Sequence, residues 1–260
     1  ARINALEENL KNVVLESFVR GLSTRDIEET FQDQNGKPLL SRTAVSNLTP
    51  RLNEEYEKFQ SKDLSGIDPV YIFFDAVFES VKKLTNNQAI FCAWAITATG
   101  EKVMLSLSVA TGETTEAWSC FFEDMIKRGL RQPVMIISDG AKSLINAIER
   151  KFPKSDRQRC IAHKMRNILS KVPNEFQEQV KQAVTAVYYA PEYSTAELLA
   201  ADFIEKYSKQ FPKAVECFTE DLEACIIHLK YPASHHKYIR TTNLIERAFG
   251  EQKRRTKVMP

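Results

Sequence analysis

Residues 133–148 read Pro-Val-Met-Ile-Ile-Ser-Asp-Gly-Ala-Lys-Ser-Leu-Ile-Asn-Ala-Ile, and no other stretch limits the possible folds so strongly. Val134, Met135, Ile136 and Ile137 form an uninterrupted apolar run, the pattern of a strand covered on both faces. Ser138, Asp139 and Gly140 break that run, and Leu144, Ile145 and Ile148 then recur at helical spacing. The chain therefore turns from a buried strand into a helix through an acid. That puts the Asp139 carboxylate at the carboxyl end of a central strand, where open α/β sheets place their chemistry. Ser-Asp-Gly alone also reads as plain turn chemistry, so the remainder of the chain has to decide between the two.

A chain of 260 residues, 43% hydrophobic and 27% charged, can bury a sizeable core in one or two domains. The longest apolar run, 89–96, is too short to span a bilayer, and the first residues lack a signal-peptide pattern, so an intracellular protein without a membrane partner is expected. Five widely spaced cysteines without a Cys-x-x-Cys pair argue against a disulfide framework or a zinc ribbon. Net charge is only +2, but it is unevenly spread. Residues 140–172 carry nine Lys/Arg against two acids and 237–257 carry seven against two, whereas 173–236 carries five against ten. Either basic block alone reads as a solvated helix face; two such blocks beside candidate acids suit a polyanionic partner.

The reading along the chain gives four regions. Residues 1–68 form a helical, helix-turn-helix-like domain: Leu10, Val13, Val14 and Phe18 make one stripe, Gly21 ends that helix, and Ser41 caps a third helix carrying Val45, Leu48 and Leu52 inward. That third helix would offer Arg42, Ser46, Asn47 and Arg51 to a DNA groove, although the region is net acidic and Pro50 falls inside the helix. Residues 69–172 begin with three strands in an antiparallel meander, at 70–77, 89–96 and 103–109. A helix over 115–128, the strand and helix of 133–148, and a short strand at 157–161 follow. This β-β-β-α-β-α-β order is that of a ribonuclease H-like mixed sheet. Residues 173–236 give three helical stripes and read as a helical insertion, and 237–260 hold a final helix with a basic run. The fold class is α/β, preceded by an all-α domain.

Asp75 is the only charge in the apolar run 70–78, which is costly in a buried strand unless the carboxylate is paired or binds metal. In this topology it lies beside Asp139, 64 residues later, and two such hard oxygen donors suit Mg²⁺ or Mn²⁺. Cys160 and His163, three apart, share a helix face, but a zinc site needs two more ligands and only a distant His235-His236 pair is available. Trp118 fits a core position, or one that stacks on a base of a nucleic-acid partner.

Taken together, these segments resemble the Mutator-type transposases of bacterial insertion sequences, a branch of the DDE superfamily. The resemblance rests on Arg20-Gly21-Leu22-Ser23-Thr24-Arg25-Asp26-Ile27, Phe74-Asp75-Ala76, Ile137-Ser138-Asp139-Gly140, Arg159-Cys160-Ile161-Ala162-His163-Lys164 with Arg166-Asn167, and Thr241-Thr242-Asn243-Leu244-Ile245-Glu246-Arg247 running into Lys253-Arg254-Arg255-Thr256-Lys257. It implies a catalytic and metal-binding triad of Asp75, Asp139 and Glu246, served by two Mg²⁺ or Mn²⁺ ions when DNA is bound. Glu251 is the rival third acid; five residues along a helix leave two side chains about 140° apart, so both cannot face the same ions. Glu246 is preferred because it sits in the Asn-x-x-Glu-Arg element beginning at Asn243.

The resemblance further implies that Cys160, His163 and Asn243 belong to a family signature, the first two supporting the site or positioning DNA, with plain packing as the alternative. Lys164, Arg166, Arg247, Lys253, Arg254 and Arg255 are expected to contact DNA. The implied partners are double-stranded DNA, both terminal inverted repeats and target, and further copies of the chain as a dimer or higher multimer. The implied setting is the bacterial cytoplasm, at the nucleoid. A stand-alone ribonuclease H-like nuclease and a transposase-derived DNA-binding regulator are the competing functions. Family proteins are longer at both ends, so the chain reads as a piece or truncated form.

Overall fold

The structure is a computed structural model that describes residues 49–79, 88–243 and 245, with the side chains of 49–53, 55, 77–79 and 88 not described. The chain divides into two units, Ala1–Lys62 with Glu246–Pro260, and Asp63–Ile245. Of the first unit, helix α1 (Thr49–Gln60) is described. Pro50 stands in its first turn, where the missing N–H costs no helical bond. The Ser61 hydroxyl reaches back to the Glu57 carbonyl and satisfies part of the helix end.

The second unit is built on a five-stranded sheet among the described residues, with spatial order β3-β2-β1-β4-β5. Its strands are β1 (Pro69–Glu79), β2 (Gln88–Thr97), β3 (Lys102–Ala110), β4 (Met135–Ser138) and β5 (Asp156–Arg159). β1 to β3 pair antiparallel, whereas β1–β4 and β4–β5 are parallel. Helix α2 (Thr115–Lys127) links β3 to β4, and α3 (Lys142–Lys151) links β4 to β5. The sheet is therefore mixed, with the element order that the hydrophobic pattern implied.

Side-chain alternation divides each strand between two faces. Ile72 and Phe74 of β1 and Ile136 of β4 join Trp118, Phe122 and Met125 of α2 and Leu144 and Ile148 of α3 in one apolar cluster. Thr114 caps α2 by accepting from the Ala117 N–H. Gly129 ends it with φ +93, and a Cβ there would stand 2.8 Å from Ser65 Cβ, so both the turn and the close approach call for glycine.

A second cluster is formed by helices α4 (Ile161–Leu169), α5 (Asn174–Tyr188), α6 (Tyr193–Tyr207), α7 (Pro212–Thr219) and α8 (Leu222–Ile226), with Val180, Val184, Phe203, Tyr207 and Phe218 at its centre. A 3-10 turn (Ile227–Lys230) and α9 (Ala233–Ile239) follow. Gln158 fastens this layer to the sheet edge: its Nε2 donates to the Cys225 carbonyl at 3.0 Å and its Oε1 accepts from the His228 N–H at 3.0 Å.

Two local expectations shift. The last strand, expected over 157–161, spans Asp156–Arg159, because its partner β4 stops at Ser138 and Cys160 turns away to cap α4. The single apolar stripe through Phe218, Leu222, Ile226 and Leu229 is divided between α7, α8 and the 3-10 turn. Asp221 breaks it with φ 64, a left-handed conformation that Asp tolerates better than most residues, while its carboxylate pairs with Arg157 at 2.8 Å.

Candidate active site

The parallel register of β1 and β4 ends at the pair Phe74 and Ser138. Asp75, inside β1, and Asp139, just past the end of β4, are the next residue on each chain, so the two acids stand side by side on neighbouring strands spaced about 4.8 Å apart. Asp75 lies opposite Cys92 of β2 and is only 6% exposed. It follows Tyr71 and Phe73 in the strand alternation, on the face away from α2 and α3. Each acid anchors one oxygen on the backbone just beyond it: Ala76 N–H donates to Asp75 Oδ1 at 3.0 Å and Ala141 N–H donates to Asp139 Oδ1 at 3.1 Å. Asp139 Oδ2 makes no hydrogen bond to a described residue.

The surroundings report the charge of this pair. Burial first, and the negative charge of Asp75 in addition, push the Cys92 thiol up to about 12. Glu113, in the loop before α2, is half-buried; burial and then the charge of Asp139 raise its carboxyl, against a hydrogen bond that Trp118 Nε1 donates to its Oε1 at 3.2 Å. Glu113 escaped sequence reasoning because Thr-Gly-Glu-Thr-Thr reads as turn and cap.

Behind the acids, Cys160 leaves β5 and donates its N–H to the Ser138 carbonyl at 2.7 Å. Its sulfur accepts from both the N–H and the hydroxyl of Thr242, each at 3.4 Å. Burial alone would raise this thiol, but the hydrogen bond and charge of His163, with the two Thr242 donors, bring it below its ordinary value. His163 moves up for the reciprocal reason, its bond to Cys160 outweighing burial, with the charge of Asp75 adding to the effect. Cysteine and histidine thus form a polarised pair between the strand ends and the segment that leads into residue 246.

The other anticipated residues fall in different places. Lys164 is 1% exposed, with its ammonium bonded to the Glu220 carbonyl and 3.8 Å from the Glu220 carboxylate, so it is a buried tie between α4 and α7 and offers no surface to DNA. Trp118 is fully buried and stacked on Phe91 at 3.8 Å between centroids, which leaves no face for a base; it is a core residue. Arg166 lies in α4, with its Nε 3.4 Å from the Ala162 carbonyl, and Asn243 is exposed. Arg42, Ser46, Asn47, Glu246, Arg247, Lys253, Arg254 and Arg255 lie outside the described residues, as does the side chain of Arg51.

Among the described residues, no three His, Cys, Asp or Glu side chains come together to hold a metal ion. The donor set present is two carboxylates with hard oxygens, which fits a divalent ion of the Mg²⁺ type that takes its remaining ligands from water, substrate or a further acid. No described helix is long and apolar enough to cross a membrane.

Comparison with known proteins places this geometry in context. The family model described as "Transposase, Mutator family" matches residues 1–260. The chain belongs to the Mutator family of transposases. Its similarity to the transposase for insertion sequence element IS6120 of Mycolicibacterium smegmatis is 30% identity over 242 residues, 93% of this chain and 75% of that relative. Against the transposase for IS256 in transposon Tn4001 of Staphylococcus aureus it is 29% over 257 residues, 97% of this chain and 65% of the relative. The ISRM5 transposase of Rhizobium meliloti is 28% identical over 261 residues, 99% of this chain and 65% of the relative. The chain thus spans about two thirds to three quarters of the length of these Mutator-family relatives.

Proposed function

We propose that the chain is the catalytic core of a DNA transposase that cleaves strands at insertion-sequence ends and joins them to target DNA by a DDE mechanism. The observation that carries this reading is that Asp75 of β1 and Asp139, at the carboxyl end of β4, directly follow the last pair of the parallel β1–β4 register. Membership in the Mutator family supports it, as does an element order matching the ribonuclease H type. Glu246 is assigned as the third acid on the strength of its Asn-x-x-Glu-Arg element.

In this reading Asp75, Asp139 and Glu246 would hold Mg²⁺ or Mn²⁺. When bound, such ions activate water or a 3′-hydroxyl on one side of a phosphodiester and stabilise the leaving oxygen on the other. The chain's own residues do the positioning. Backbone N–H groups orient one oxygen of each Asp, and Cys160 ties the Ser138 carbonyl to Thr242. Arg166, Arg247 and the run Lys253, Arg254 and Arg255 are proposed contacts to the phosphate backbone, with the region before residue 49 as a DNA-reading module. A dimer or larger multimer on paired ends, working at the nucleoid, is part of the same proposal.

The test is incubation with labelled element ends and Mg²⁺, using Asp75→Asn, Asp139→Asn and Glu246→Gln beside the parent chain. Strand joining by the parent and none by the three variants is expected. Cutting without joining would favour a stand-alone nuclease, and binding without cutting a regulator. An active Glu246→Gln with an inactive Glu251→Gln would move the third acid.

A further inference from the structure

A buried guanidinium needs acceptors or an anion to offset its lost hydration. Arg159, at the end of β5, is 6% exposed, and its Nε is sealed from solvent without an acceptor. No hydrogen bond or ion pair joins its side chain to a described residue. The acids around it are engaged elsewhere. Asp221 pairs with Arg157 at 2.8 Å, and the Glu220 carboxylate faces Lys164 at 3.8 Å. Asp221 also feels the charges of Arg159 and Lys164, but its ion pair is with Arg157.

The placement of this cation relative to Asp139 is specific. A Cβ built on Gly140 would lie 0.6 Å from Arg159 Nη1, 1.6 Å from Cζ and 2.2 Å from Nη2. The guanidinium therefore rests against the backbone of the residue that follows the second catalytic acid. Among the described glycines only Gly100 and Gly129 have positive φ, so Gly140 is glycine for room and not for backbone conformation. A rigid planar fork with five N–H donors, held at the carboxyl end of two parallel strands, suits the oxygens of a phosphate group.

We propose that Arg159 is a phosphate-binding residue of this site, whose guanidinium receives a non-bridging oxygen of the DNA phosphodiester that enters beside Asp139, with Gly140 kept small to admit it. The inference rests on the DNA-cleaving reading above, but its test needs no cleavage. The probe is a duplex ending in the inverted repeat that flanks the coding sequence, prepared as a series in which one phosphate at a time is a neutral methylphosphonate. Binding is measured without divalent ions and across a range of salt.

For the parent chain, neutralising one or two phosphates near the cleavage point should weaken binding about tenfold. Arg159→Gln should bind the unmodified duplex about tenfold more weakly, lose about one unit of salt slope, and be indifferent to the methylphosphonate at that position. Gly140→Ala, which displaces the guanidinium, should reproduce the loss with Arg159 still present. If Arg159→Gln does not fold, Arg159→Lys, which keeps the charge but loses the fork, should bind more weakly and respond less to the methylphosphonate while retaining the salt slope. A parent chain unmoved by more than about twofold at every position, an Arg159→Gln with the parent's pattern and salt slope, or an Arg159→Lys with the parent's affinity and pattern, overturns the proposal. Correct phosphate dependence without any cleavage would sink the catalytic reading and leave this one standing.

Discussion

Thr242 donates both its backbone N–H and its hydroxyl to Cys160 Sγ, each over 3.4 Å, while Cys160 N–H donates to the Ser138 carbonyl at 2.7 Å. One residue therefore links the backbone beside Asp139 to a residue four positions before Glu246. Cys160→Ala leaves two Thr242 donors without an acceptor in a fully buried place, and should cost about 1–3 kcal/mol of stability. Thr242→Val removes the hydroxyl donor and keeps the backbone N–H on Sγ, so it should cost less. In both variants cleavage should fall by more than the loss of folded protein explains, because the Cys160 backbone that holds the Ser138 carbonyl beside Asp139 loses support from Thr242. Equal losses in folded fraction and in rate, read from denaturation and cleavage of the same samples, would reduce the contact to plain packing.

His228 gives a prediction in pH. It is 1% exposed, and burial, then the neighbouring His236, lower its pKa from 6.5 to about 4. The native state keeps this imidazole neutral while the unfolded chain protonates it. Stability from His228 is therefore fully present above the unfolded value and is lost as pH falls from about 6.5 to about 4, by roughly 3 kcal/mol. Denaturant titrations of the parent and of His228→Gln should diverge over that window, with the variant losing less on acidification. Parallel curves would contradict the assignment.

Lys164 separates a buried tie from a DNA contact. Its ammonium is bonded to the Glu220 carbonyl and lies near the Glu220 carboxylate. Lys164→Met should cost about 1.5–3 kcal/mol in stability, the range for a hydrogen bond to a charged group, and leave the salt dependence of DNA binding unchanged. A slope smaller by about one unit would restore it as a phosphate contact.

Trp118 offers a similar contrast. Its stacking on Phe91 and contact with Phe74 fill the cluster beneath α2. Trp118→Ala should cost about 3–5 kcal/mol and Trp118→Phe much less, with DNA affinity of the Phe variant unchanged. Affinity lost without stability would speak for base stacking.

The legible parts of this protein were those where side-chain period and burial coincide. Val134, Met135, Ile136 and Ile137 announced a covered strand, and β4 occupies three of those four positions. Asp75 stood out because a lone charge in an apolar run is expensive, and the register puts it beside Asp139. Charge was the poorer guide. Lys164 and Arg159 sit in a basic block that reads as surface, yet both are buried, because the packing of other elements against β5 and α4 is a tertiary matter that no local pattern carries. Asp221 is similar: its left-handed turn accompanies an ion pair with Arg157, 64 positions away. Glu113 and the polarised Cys160 and His163 pair likewise take their character from neighbours supplied by other elements.

The central claim is that hard carboxylate ligands at Asp75, Asp139 and Glu246 make cleavage dependent on a divalent ion. The direct measurement is cleavage of an element-end duplex by metal-stripped protein, with Mg²⁺, Mn²⁺, Ca²⁺ and Zn²⁺ restored one at a time. Cleavage should return with Mg²⁺ or Mn²⁺, with little under Ca²⁺, whose looser coordination holds DNA without aligning the reacting oxygens. Asp139→Asn should remain inactive with every ion. Activity that survives chelation, or that returns with Zn²⁺ alone, would contradict the account and turn attention to Cys160 and His163 as ligands.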